Sequence, residues 1–110
     1  MKRLFSFAVF AAVCGNTHAV GIAQGVTLNN IDVRTDGSFL VSFSQSISTP
    51  SSCATDFSRM TGSANTPGGR AVLASAMLAH SMGSVVFAQG SGNCSEYGGI
   101  ESLLILVQRR

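Results

Sequence analysis

Alternating apolar and polar residues predict several short β-strands, and the clearest of these follows an Asp-Gly turn. Residues 35–38 (TDGS) favour a tight hairpin, because Asp-Gly readily adopts the positive φ angles of such turns. In the strand that follows, Phe39, Val41 and Phe43 share one face and serines occupy the other, with Leu40 as the exception. We therefore expect a hairpin whose second strand buries its phenylalanine face.

The strand before this hairpin changes phase midway. Apolar residues 26 and 28 fall on one face and apolar residues 31 and 33 on the other, with Asn29-Asn30 between them. One extra residue there would restore the phase, so we predict one long strand over residues 26–34 with a β-bulge at Asn29-Asn30. The preceding residues 20–25 are interpreted as a loose lead-in.

Three further strands are predicted at residues 57–62, 84–90 and 100–108, separated by loops rich in Ser, Thr, Gly and Pro. The last of them is apolar at every position from 103 to 107, a pattern typical of a strand that is covered on both faces.

One helix is predicted between the third and fourth strands. Thr66 is a suitable N-cap, Pro67 suits the first helical position, and Gly83 suits the stop, which predicts a helix over residues 67–82.

This helix has two apolar stripes on nearly opposite sides. The first is Val72, Leu73, Ala76 and Met77, and the second is Ala71, Leu78 and Met82. A helix that is apolar on two sides is normally covered on two sides. We interpret the second stripe as a subunit interface, the alternatives being that water tolerates it or that loops fold over it.

The element order is strand, strand, short strand, helix, strand, strand. This order predicts an α+β protein: a small, curved, five-stranded OB-like sheet or barrel with one helix between strands 3 and 4 and one disulfide.

The first nineteen residues have the pattern of a signal peptide. Lys2 and Arg3 precede an apolar stretch over residues 4–15, which is too short to span a bilayer, and residues 17–19 (THA) fit the small-x-small cleavage pattern. We expect residues 1–19 to be removed and residues 20–110 to form a single secreted or periplasmic domain. Lipid attachment at Cys14 is an alternative, although Ala11 and Val13 fit a lipoprotein signal poorly.

Cleavage would leave about 90 residues, enough for one small domain. This mature chain contains five arginines, five acidic residues and no lysine, so its formal charge is zero. It lacks the basic field that phosphate neutralisation needs, and nucleic acid is therefore not expected as a partner. No remaining apolar run reaches the length of a membrane span.

Two cysteines, Cys53 and Cys94, remain after cleavage. In an exported chain such a pair is expected to form a disulfide. The alternatives are a reactive thiol or a partial zinc site, to which only His80 could add a ligand.

No convincing catalytic constellation is present, and we expect no enzyme activity, no cofactor and no metal. His80 lies late in the helix, where it can interact favourably with the helix dipole. Ser81 beside it points about 100° away. Glu96 and Glu101 could form a carboxylate pair of the kind that hydrolyses glycosides, but they are more simply interpreted as solvated. A small hydrolase is thus the last of our functional alternatives.

Tyr97 is the only tyrosine of the chain, which has no tryptophan. Sugar sites combine an aromatic face with hydrogen-bonding acids, so we predict Glu96 and Tyr97 as ligand contacts. The alternative is that Tyr97 closes the end of the barrel and packs on the disulfide.

Three segments carry a resemblance: 68–73 (GGRAVL) opening the alanine-rich helix, 81–87 (SMGSVVF), and 90–98 (GSGNCSEYG). With a cysteine before the helix and one after the following strand, this layout resembles small exported bacterial proteins. It also resembles, more distantly, the OB-fold binding subunits of pertussis-like and subtilase-type toxins. The resemblance covers about residues 53–107 and implies sugar binding and ring assembly without catalysis; it transfers no binding residue.

The sequence as a whole predicts a secreted, non-catalytic binding or assembly module that forms a homo-oligomer and binds a glycan or another protein. A monomeric envelope protein that binds or inhibits another protein is the alternative.

Overall fold

The computed structural model describes residues 19–109 and confirms an α+β protein with one helix and one disulfide in that range. The elements in chain order are β1 (Ile22–Val26), β2 (Leu28–Val33), β3 (Ser38–Phe43), β4 (Arg59–Ser63), α1 (Pro67–Met82), β5 (Val85–Gly90) and β6 (Glu101–Arg109). The predicted leader, residues 1–19, lies outside the described residues except for Ala19. No helix in the described part is long and apolar enough to cross a membrane.

The strands form one six-stranded mixed sheet in the order β1-β5-β6-β4-β3-β2. All neighbours are antiparallel except β4 and β6, which are parallel. The outermost strands, β1 and β2, are consecutive in the chain and separated only by Thr27. Because a single residue joins the two edge strands, the sheet curves back on itself.

The prediction that residues 20–25 form a loose lead-in was wrong, and the sheet has six strands where five were expected. Residues predicted as lead-in form β1, which pairs with β5 and buries Ala23 and Val26. Glycine had suggested a loop, but Gly25 has a φ of 71° and lies at a register shift between Gln24 and Val26, so it makes a bulge within the pairing.

The predicted bulge in the next strand is confirmed. Leu28 pairs with Phe43 while Asn30 pairs with Ser42, so Asn29 is the extra residue. The bulge explains the phase change of the sequence: Leu28 is buried and Ile31 packs against the same core.

The predicted hairpin joins β2 to β3. The Arg34 amide donates a 2.8 Å hydrogen bond to the Ser38 carbonyl, and Gly37 in the turn has a φ of 93°. The Asp36 carboxylate accepts hydrogen bonds from the amide and the hydroxyl of Ser38, at 2.9 and 2.7 Å. As predicted, Phe39 is buried in the core.

Helix α1 has the predicted ends. The Thr66 hydroxyl accepts a hydrogen bond from the Gly69 amide, Pro67 is the first helical residue, and Gly83 ends the helix with a φ of 66°. Such a cap satisfies amide and carbonyl groups that have no partner inside the helix.

The buried side of the helix differs from the predicted stripe at one position. Ala76 and Ala79 are fully buried, and Val72 and Leu73 pack beside them, but Met77 is 53% exposed. The small alanine side chains let α1 lie close to the sheet, where it contacts β6, β2 and β4.

The disulfide joins Cys53, in the loop before β4, to Cys94, in the loop before β6, with their Cα atoms 5.9 Å apart. It therefore links the loops that lead into the parallel pair of strands.

Candidate ligand-binding groove

A polar groove of about 390 Å³ lies beside the β2–β3 hairpin. We call it the Tyr97 groove; the side chains that define it are Arg34, Asp36, Ser38, Asn65, Glu96 and Tyr97. It thus brings both predicted ligand residues together with polar residues from the hairpin and from the loop before α1.

Arg34 and Tyr97 form the central contact of the Tyr97 groove. The guanidinium carbon lies 4.9 Å from the ring centroid, and an Arg34 N–H donates a 3.2 Å hydrogen bond to the Tyr97 hydroxyl. This hydrogen bond is the main reason that the pKa of Tyr97 is lowered and the pKa of Arg34 is raised. The arginine holds the half-buried ring in place.

Asp36 is the acidic residue that the β2–β3 hairpin contributes to the groove. Hydrogen bonds from the hydroxyl and amide of Ser38 lower the pKa of Asp36, so the carboxylate is charged at neutral pH. The Asn65 side-chain amide donates a 3.1 Å hydrogen bond to the Asp36 carbonyl, which ties the loop before α1 to the hairpin.

Glu96 is exposed and lies where the Tyr97 groove meets a second groove of about 440 Å³. This second groove is more apolar, with Phe39, Val72, Leu103 and Leu104 in its wall. Gly62 and Ser63 also line both grooves, so the two share a continuous floor.

Gly62 packs directly on the ring of Phe39, because a Cβ at this position would collide with that ring.

The structure separates the two acids considered for hydrolysis. Glu96 is exposed, whereas Glu101 is fully buried and accepts hydrogen bonds from the Gly21 and Gly92 amides. The expectation that Glu101 is solvated was wrong, and its carboxylate does not face a cleft with Glu96. The flanking Ile100 and the apolar run over residues 103–107 were the only sequence sign of its burial.

His80 lies apart from the Tyr97 groove, on the outer part of α1. One ring nitrogen is 3.2 Å from the Asn29 carbonyl oxygen, and the side chain lines a separate shallow cavity of about 340 Å³ with Val33 and Met77. Among residues 19–109, no three His, Cys, Asp or Glu side chains are grouped as metal ligands.

The residues predicted for an interface are all exposed. Ala71 is open to solvent, and Leu78 and Met82 are 54% and 58% exposed. A second exposed apolar surface lies on the sheet, where Phe87 pairs with Val107. We call this surface the outer sheet face; its apolar members are Val85, Phe87, Ile105 and Val107. The expectation that the last strand is covered on both faces does not hold within residues 19–109.

Sequence reasoning predicted Glu96 and Tyr97 as ligand contacts but did not place Arg34, Asp36 and Asn65 beside them. Asp36 was interpreted only as a turn residue, and no spacing in the sequence links position 34 to position 97. The pairing of β2 with β3 and the disulfide-bearing loop bring them together.

No known protein family matches the chain, and the search of curated proteins gives no significant match.

Proposed function

We propose that this protein is an exported, non-catalytic binding module that takes a glycan in the Tyr97 groove. The observation that carries the proposal is the convergence of Tyr97 and Glu96 with Arg34, Asp36 and Asn65 on one open surface. The disulfide supports export, because such bonds persist mainly outside the cytosol.

The chemistry of the Tyr97 groove suits a sugar. Arg34 and Asn65 carry N–H donors, and the carboxylates of Asp36 and Glu96 are acceptors. The hydroxyl groups of a sugar ring could therefore bind both as hydrogen-bond acceptors and as donors. The half-buried ring of Tyr97 offers an apolar surface beside them.

The strand order is compatible with an OB-like barrel. If β1 and β2 are counted as one bent strand interrupted at Thr27, five strands remain, with α1 between the third and the fourth. In this count the first strand pairs with β5 at one end and with β3 at the other, so it links the two edges of the sheet.

The exposed apolar surfaces support a homo-oligomer. Leu78 and Met82 on α1 and Val107 on the outer sheet face are more than 40% exposed. Large exposed apolar patches usually mark interaction sites, and we expect these residues to belong to such a patch. The alternative, a monomer that binds or inhibits another protein, would use the same surfaces.

A native mass measurement on the purified mature chain separates these alternatives. We expect a multiple of the subunit mass, and we expect the double substitution Leu78→Ser and Met82→Ser to yield the single-subunit mass. The substitution Ser81→Ala on the same helix is the matched control. A single-subunit mass for the wild-type chain would overturn self-assembly.

Glycan binding is tested by screening the mature chain on an array of glycans and titrating any hit in solution. Because Tyr97 is the only tyrosine and the chain has no tryptophan, intrinsic fluorescence reports directly on the groove. We expect a saturable change in the wild-type protein and in Arg70→Gln, which lies outside the groove. Because Tyr97→Ala removes the fluorophore itself, titration calorimetry measures binding by the Tyr97 and Glu96 variants, and we expect Tyr97→Ala to abolish it. Absence of any hit, or binding that survives both Tyr97→Ala and Glu96→Gln, would contradict the proposed site.

A further inference from the structure

Glu101 is a fully buried carboxylate in a cavity built from glycine. The Gly21 amide donates hydrogen bonds of 3.1 and 3.0 Å to its two oxygens, and the Gly92 amide donates a 2.7 Å hydrogen bond to Oε2. A Cβ at Gly21 or at Gly90 would collide with the carboxyl group. The backbone is therefore shaped around this side chain, and all three hydrogen bonds are of the kind that a carboxylate accepts.

A buried negative charge is strongly unfavourable without a positive partner. Each cationic side chain that the structure describes contacts another group: Arg34 contacts Tyr97, Arg59 contacts Asp56, Arg70 contacts the Ala64 carbonyl, Arg109 contacts Phe87, and His80 contacts the Asn29 carbonyl.

Distance also separates Glu101 from Arg109. Arg109 closes β6, which starts at Glu101, so roughly 26 Å of extended strand lies between them.

We propose that the counter-charge is the α-amino group of Val20, which cleavage after Ala19 would create; this inference rests on the export in the proposed function. Val20 is half-buried and directly precedes Gly21, the residue whose amide already contacts both Glu101 oxygens. Backbone nitrogens of adjacent residues lie within about 3.7 Å of each other, which places the new ammonium group within about 7 Å of the carboxylate.

Leader removal would then complete the folded state. Before cleavage the Val20 nitrogen belongs to an uncharged peptide group, and after cleavage it carries a positive charge beside a buried negative one. The Gly92 end of the same carboxylate lies in the loop that contains Cys94, and this loop is also held by hydrogen bonds between Ser102 and the backbone of Ser91 and Asn93. The ion pair thus ties the new N-terminus to the disulfide-bearing loop.

The composition of the chain permits a direct test. The only lysine is Lys2, so the mature chain has one amine, its N-terminus. The rate of acylation by an amine-reactive reagent, followed by intact mass across neutral to alkaline pH, gives the pKa of that amine. We expect a pKa above the ordinary value of an α-amino group, and labelling at neutral pH about tenfold slower in the folded protein than in denaturant.

Two variants sharpen the test. Glu101→Gln removes the buried charge and should return the pKa of the amine to its value in denaturant, whereas Asp32→Asn removes an exposed acid and should leave the raised pKa unchanged. Steric protection alone would slow labelling without moving the pKa. If Glu101→Gln fails to fold, the pKa of the amine in folded wild-type protein is compared with its pKa in denatured wild-type protein, and this comparison tests the ion pair.

Equal pKa values for the amine in folded and denatured wild-type protein would overturn the ion pair. An intact mass that shows retained residues 1–19, or a first residue other than Val20, would instead overturn the predicted export and cleavage site. The two failures are distinguished because the first requires a chain that has been cleaved as predicted.

Discussion

Arg34 and Tyr97, which are 63 positions apart in the sequence, meet with 4.9 Å between the guanidinium carbon and the ring centroid. One is the residue after β2, and the other belongs to the loop that contains Cys94. Their contact holds the only tyrosine of the chain beside Glu96 and Asp36 in the Tyr97 groove.

The first prediction concerns the ionisation of Tyr97. The hydrogen bond from Arg34 lowers the pKa of Tyr97, so Arg34→Gln should raise that pKa back towards its ordinary value near 10. Ultraviolet absorbance during an alkaline titration measures it without interference, because Tyr97 is the only tyrosine.

The lowered pKa of Tyr97 also makes the stability of the fold depend on pH. A lowered pKa in the folded state stabilises the fold at pH above the ordinary tyrosine value, and this contribution disappears as the pH falls through the folded pKa. Arg70→Gln removes an arginine outside the contact and should leave the titration unchanged. An unaltered pKa for Tyr97 in Arg34→Gln would show that the contact is not maintained in solution.

The second prediction uses two adjacent glycines at the start of α1. A Cβ at Gly69 would collide with the Ser63 backbone carbonyl, whereas a Cβ at Gly68 would meet open space. Gly69→Ala should therefore destabilise the protein by about 2 kcal/mol, and Gly68→Ala should stabilise it by about 0.5 kcal/mol through helix propensity. Urea unfolding measures both, and equal effects of the two substitutions would contradict the close approach of Gly69 to Ser63.

The third prediction concerns the disulfide, which closes a loop with a sequence separation of 41. In the chain-entropy model, a bond across a loop of this length contributes about 4 kcal/mol. We expect the double substitution Cys53→Ser and Cys94→Ser to lower the free energy of unfolding by about that amount. Addition of a reductant should lower the melting temperature of the wild-type protein and leave that of the double variant unchanged.

Much of the fold follows from local sequence signals. Thr66, Pro67 and Gly83 mark the ends of α1, and Asp36-Gly37 marks the hairpin, because capping and turn formation depend on a few adjacent residues. The bulge at Asn29 was also predictable, since an extra residue shifts the alternation of every residue after it.

Properties that depend on distant parts of the chain were harder to predict. Residues 20–25 contain two glycines and resemble a loop, but β5 provides a partner that turns Ile22–Val26 into β1. Glu101 has a residue type that usually faces water, and its buried carboxylate accepts hydrogen bonds from the amides of Gly21 and Gly92, which are distant in the sequence or lie across a loop.

The candidate site shows the same division. Glu96 and Tyr97 could be predicted together because they are neighbours in the sequence, whereas Arg34 and Asn65 reach the Tyr97 groove through strand pairing and through the loop before α1.

The last prediction concerns acid stability and the turn that leads into β4. Burial alone would raise the pKa of Asp56, but hydrogen bonds from the Ser58 amide and from Arg59 outweigh burial and lower it. A carboxylate with a lowered pKa stabilises the fold above its ordinary value near 4, and this contribution is lost as the pH falls through the folded pKa. The wild-type protein should therefore lose more stability between neutral pH and about pH 3 than Asp56→Asn, by about 1 kcal/mol for this partly exposed ion pair.

Urea unfolding at the two pH values measures this difference. Asp32→Asn is the matched control, because Asp32 is an exposed acid whose carboxylate accepts a hydrogen bond only from Asn30 among the residues that the structure describes. It should keep the acid sensitivity of the wild-type protein. If Asp56→Asn and Asp32→Asn lose the same stability as the pH falls, the lowered pKa of Asp56 does not contribute to the acid sensitivity of the fold.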